Sequence, residues 1–322
     1  MAQKNIEQEI SAILEEINKK LENNELTFKL QRELAEKLGS LKTWQIIEPM
    51  ENLLKNPKVP EFMKIQIIEQ LGKYKEPRVI RVLFDIYNSG NEKLKNEVIK
   101  SCSYIKNQKV VPILLEGLNN KDKWVKVFSI RGLQKNYSKK IAPKLIEMLA
   151  DSDEFIRKEA LSSLQKINED NIIPALIEGL NYPNRYAKLA CVSLLGNKKA
   201  KEAVPYLIDL LNTNDKRLFI LATRALCEIK DVNSIPKLIL LGLNNQELKE
   251  IIINLIYNMG TEEIIFSLLE LYIEIKKIEV RQYIEEILKR FRNKAEDVIL
   301  EYKNSINDEE KKKILENLFQ II

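Results

Sequence analysis

The stretch Pro143-Lys144-Leu145-Ile146-Glu147-Met148-Leu149-Ala150-Asp151-Ser152-Asp153-Glu154-Phe155-Ile156-Arg157-Lys158-Glu159-Ala160-Leu161-Ser162-Ser163-Leu164 decides the fold. Ile156, Ala160 and Leu164 recur at intervals of four, and Leu145, Ile146 and Leu149 fall on one stripe before them. Such intervals belong to helices, not strands. Asp153 divides the two stripes and is a helix-capping type. Pro143 suits a first helical turn, where its missing N–H has no partner to lose. The stretch therefore predicts one helix, a polar turn and a second helix.

The same unit repeats. Pro112, Pro143, Pro174, Pro205 and Pro236 are each 31 residues apart. With each proline as position zero, Val125, Ile156, Ala187 and Leu218 stand at +13, and Leu133, Leu164, Leu195 and Leu226 at +21. Ser129, Ala160, Cys191 and Ala222 stand at +17, and Asp122, Asp153, Asn184 and Asp215 fill the turn at +10. The frame extends back to Arg81 and Met50 and forward to Ser267 and Val298. It predicts about nine 31-residue helical hairpins over 44–322 as one continuous array, with two amphipathic capping helices in 1–43. Asn88-Ser89-Gly90-Asn91 reads as a turn inside a repeat. A hairpin of this length cannot bury its apolar stripe alone, so stacking supplies the core.

Composition agrees. Only 9 Gly and 10 Pro occur in 322 residues, which argues against sheet-rich folds and Gly-rich phosphate loops. His is absent, which removes Ser-His-Asp and Cys-His catalysis and His-based zinc sites. The net charge is +5. Cys102, Cys191 and Cys227 are too few and too far apart for a disulfide framework or thiolate metal site. Neither an apolar leader near Met1 nor a long uncharged apolar run is present, so a cytoplasmic monomer without cofactor or metal is expected.

The pattern in 143–164 resembles the HEAT-like repeats of the bilin-lyase type, over about 44–297. The resemblance implies an all-α, right-handed α-α superhelix (a solenoid) whose second helices line a concave face. It further implies protein binding in most relatives, and chemistry on bilins or alkylated DNA in a few.

Two candidate surfaces follow. Position +12 reads Trp124, Phe155 and Tyr186 in three consecutive units. At 100° per residue it falls opposite the core columns, together with +15, which holds Val127, Leu189 and Ile220. Arg131, Arg185, Arg217 and Arg224 lie near the same face. Aromatic and Arg residues with few acids have the composition of interface hot spots. The expectation is a non-enzymatic scaffold holding a protein or peptide there. The alternative is nucleic-acid binding through the region 75–142, net +9, with Lys121, Lys123, Lys126, Arg131 and Lys135 beside Trp124. An alkylpurine-DNA-glycosylase-like enzyme would add Asp122 as its acid. Lys and Arg recur at +14, as in Lys126, Arg157 and Lys188. Those cations are expected to pair with a turn Asp (Asp122, Asp153 or Asp215) of a neighbouring unit.

Overall fold

The computed structural model describes residues 2–74, 76–89, 91–167 and 172–322, and every regular element within them is helical. Gly90 of the expected turn and Lys75 of the basic region lie outside the described residues. The chain forms two compact units, Met1–Asn168 and Glu169–Ile322. The 31-residue frame passes this division unchanged, from Pro143 to Pro174.

In the first unit, helices Ala2–Glu22 and Phe28–Ser40 form the leading pair. Hairpins Ile47–Lys55 with Glu61–Leu71, Pro77–Tyr87 with Glu92–Cys102, Val111–Gly117 with Lys123–Lys135, and Ala142–Glu147 with Glu154–Lys166 follow. Each second helix packs on the second helix of the next hairpin. The other unit repeats the plan, beginning with Ile173–Gly179 and Arg185–Asn197, then Val204–Asp209 and Lys216–Ile229.

Local chemistry explains these boundaries. Every repeat proline sits in the first turn of its helix. Asp122 accepts from the Trp124 N–H at 2.7 Å, and Asp153 from that of Phe155 at 2.7 Å. Asn184 accepts from Ala187, and Asp215 from Arg217 and Leu218. Each cap satisfies donors that the helix leaves unpaired.

The core is made of the predicted columns. Val125, Ile156, Ala187 and Leu218 are buried, as are Leu133, Leu164, Leu195 and Leu226. At +24, where Ile167 and Ile229 are apolar, buried Asn136 bridges two hairpins. Its Nδ2 donates to the carbonyls of Ile105, at 2.8 Å, and Gly132, at 3.0 Å. Its own carbonyl accepts from Gln108 Nε2 at 2.9 Å.

The cysteines belong to this core. Burial pushes the Cys102 and Cys191 thiols up to about 12 and that of half-buried Cys227 up to about 11. Thiolate, not thiol, is the reactive form. Ellman's reagent at pH 8 should therefore label all three cysteines in denaturant and almost none in native protein; rapid native labelling of Cys102 or Cys191 would contradict this packing.

Candidate functional site

The second helices expose one narrow stripe. In Lys123–Lys135 it comprises exposed Trp124, half-buried Phe128, and exposed Arg131 and Lys135, at +12, +16, +19 and +23. Spacings of four, three and four trace one helix face. Trp124 is 49% and Phe155 41% exposed, and their rings meet edge to face at 5.5 Å. The Asp122 and Asp153 caps hold the two helix starts that carry these rings. Lys123 Nζ lies 5.6 Å from the Trp124 ring centroid. Tyr104, at +23 of the preceding hairpin, meets Phe128 at 6.1 Å and lies under Lys135.

Several sequence expectations need correction. Val127 is fully buried and belongs to no surface. Its helix packs on Val111–Gly117, Glu92–Cys102 and Glu154–Lys166 at once. The buried arc therefore widens to include +15. In the next hairpin the same position holds exposed Lys158. Phe128 at +16 is the ring that the sequence reading missed, one position further along the helix.

Arg131 is not a free cation. It makes two parallel bonds to Glu159, at 2.8 and 3.0 Å. These bonds, more than Coulomb attraction, hold the Glu159 carboxyl below its ordinary range. Lys126 Nζ bonds Asp151 Oδ2 at 2.7 Å. Burial raises the Asp151 pKa, but the Lys126 bond and the Asp153 N–H outweigh it and the net shift is downward. At Lys126 the +14 cation thus finds a turn Asp of the next hairpin. That residue is Asp151, because Asp153 caps its own helix. Arg157 instead donates to the Asp151 and Ser152 carbonyls of its own turn, at 2.7 and 2.8 Å. Of the five cations expected to meet nucleic acid, Lys126 and Arg131 are neutralised within the fold. Lys121 and Lys123 are exposed at the helix start, and Lys135 lies at its other end. Asp122 is the helix cap, which removes the acid of the glycosylase reading.

In the second unit Tyr186 is 57% and Ile220 62% exposed, and Leu189 is half-buried. Arg185 binds Asp215 through two bonds, of 2.6 and 2.9 Å, and holds that carboxyl well below the usual range. Arg217 and Arg224 are exposed seven residues apart on one face, with Leu221 half-buried between them. Neither has an ion-pair partner among the described residues.

Trp44, absent from the expected sites, is 54% exposed at the head of Ile47–Lys55. Beside it lies a cleft of about 620 Å³ lined by Gln45, Glu48, Glu51, Arg78 and Arg81, among others. Glu51 is buried and bonds both Lys55 and Arg81, at 2.5 and 3.1 Å. The Arg78 guanidinium lies 5.1 Å from the Trp44 ring centroid.

No described helix is long and apolar enough to cross a membrane. Among the described residues, no three Cys, Asp or Glu side chains gather into a metal-binding group.

Comparison with known proteins adds the family. No curated protein matches the chain. Among solved structures, importin beta is 14% identical with a TM-score of 0.48, over 91% of this chain and 50% of its own. Human deoxyhypusine hydroxylase is 17% identical with a TM-score of 0.36, over 90% and 98%. The CpcE–CpcF complex of phycocyanin lyase from Nostoc sp. PCC7120 is 19% identical with a TM-score of 0.32, over 75% and 93%. The model of HEAT repeats matches three overlapping segments, 81–165, 111–183 and 173–256, more than half of the sequence. The 31-residue hairpins, their capped second helices and these matches agree: the chain belongs to the HEAT repeat family.

Proposed function

We propose that the protein is a non-enzymatic scaffold whose second helices hold a protein partner on their outward face. The observation that carries this reading is the Trp124–Phe155 pair of the first unit. Two large rings are packed against each other, capped at their backbones and still nearly half exposed. A rigid aromatic pair of this kind presents apolar area at little entropic cost on binding. Exposed Tyr186, Ile220, Arg217 and Arg224 offer a second such surface on the other unit. Three free thiols accord with a reducing, cytoplasmic setting. A continuous array over 44–322, capped by 1–43, is part of the same proposal and rests on the unbroken 31-residue frame.

The test is a partner captured on immobilised wild type, purified and then titrated by calorimetry. Trp124→Ala/Phe155→Ala should weaken its Kd by about 30-fold, the cost of a hot-spot truncation of roughly 2 kcal/mol. Circular dichroism should remain that of wild type. Equal affinity in the double variant would refute the face.

A further inference from the structure

Successive hairpin junctions of the first unit carry cations that the fold does not neutralise. At +23, in or just past the last turn of each second helix, stand Lys73, Tyr104, Lys135 and Lys166. At +28, where the next hairpin opens, stand Arg78, Lys109 and Lys140. Lys106 and Lys139 lie between the two ranks. Along 103–110 and 135–141 there is no carboxylate at all. Lys106, Lys109, Lys135, Lys139, Lys140 and Lys166 are all exposed and make no ion pair among the described residues.

The contrast with the rest of the unit is informative. Lys93 meets Glu61 at 2.8 Å, Lys126 meets Asp151 at 2.7 Å and Arg131 meets Glu159 at 2.8 Å. Each of these pairs joins adjacent hairpins. The junction edge lacks such partners, apart from Lys73, 3.8 Å from Glu69, and gathers more unpaired cations than the start of Lys123–Lys135, where Lys121 and Lys123 stand. Helix stabilisation accounts for part of it: Lys135 bonds the Ser103 carbonyl at 3.1 Å, near a helix C-terminus where a cation is favoured. It does not account for Arg78, Lys109 and Lys140. They stand at or before helix N-termini, where the dipole disfavours positive charge.

The same edge exposes aromatic rings. Tyr104 is 58% exposed and Lys135 Nζ sits 5.3 Å from its centroid. Trp44, 54% exposed, lies under Arg78 in the same way. Each ring takes its cation from the hairpin that follows.

We propose that this edge binds single-stranded nucleic acid, its phosphates on the lysine ranks and its bases stacked on Tyr104 and Trp44. Ranks of cations about 8–10 Å apart, the spacing of packed helices, track a polyanion. Exposed rings among them suit unstacked bases, which a duplex hides and an acidic peptide lacks. Tyr104 and Lys135 continue the stripe that begins at Trp124, but the lysine ranks stand apart from the Trp124–Phe155 pair. They lie at the far end of the second helices, about 17 Å from Trp124 by the helical rise over the eleven residues to Lys135.

Fluorescence anisotropy with labelled oligo(dT) tests it. Binding should be measurable at about 50 mM salt and fall roughly 100-fold by about 200 mM, as neutralising about five phosphates requires. Lys106→Glu/Lys139→Glu/Lys140→Glu should lose at least tenfold in affinity. Tyr104→Ala should lose about fivefold or more. Both variants should keep the wild-type melting temperature. No binding at low salt would overturn the proposal. So would equal binding of poly-glutamate, tighter binding of duplex, or full affinity in the triple variant.

Discussion

Leu195→Ala is expected to lower the unfolding free energy by about 3 kcal/mol, and Gly196→Ala by about 2 kcal/mol. The two residues are neighbours in Arg185–Asn197, and the changes act in opposite ways. Leu195 is fully buried, so truncation leaves a cavity as well as losing transfer energy. Gly196 sits where that helix meets Lys216–Ile229. A Cβ there would lie 2.8 Å from both Cα and Cβ of Ala225. The contact includes backbone, so relief requires the helices to separate rather than a side chain to turn. Urea unfolding followed by circular dichroism measures both losses. A loss under about 1 kcal/mol for Leu195→Ala would mean that the +21 column is not core.

Asn136→Asp is expected to destabilise the fold by about 3 kcal/mol at pH 7, with little change in volume. The substitution removes the donor that satisfies the Ile105 carbonyl and sets a carboxylate against it. An unsatisfied buried group costs about 1–3 kcal/mol, and more when charged. Burial would raise the folded-state pKa of the new carboxyl above its unfolded value. A carboxyl raised in the folded state is tolerated at low pH, and stability is lost as pH rises and the group ionises. The deficit relative to wild type should therefore be small near pH 4 and large at pH 7. A deficit independent of pH would show that the side chain does not face the carbonyl.

The hairpins were legible because they follow from one-dimensional signals. Pro143 opens a helix, Asp153 caps one, and Ile156, Ala160 and Leu164 return every four residues. Those effects are local, so a single chain stretch contains them. The outward stripe was legible only in part. Trp124 and Phe155 at +12 are exposed as the helical wheel requires, whereas Val127 is buried and its neighbour Phe128 is half-buried. A wheel assigns faces from one helix, but the width of a buried arc depends on how many neighbours press on it, which is why Phe128 is half-covered as well.

Charge pairing lay further from reach. Lys126 and Arg131 look alike in sequence to Lys106 and Lys140. The first two meet Asp151 and Glu159 of the next hairpin, and the latter two meet no acid. Coulomb attraction fades over a few ångströms of solvent, so only stacking decides which charges neutralise each other. Helix periodicity, capping and the 31-residue frame belong to the chain's own order. Which rings and cations remain for a partner belongs to the contacts between hairpins, because burial and ion pairing arise only when helices distant in sequence meet.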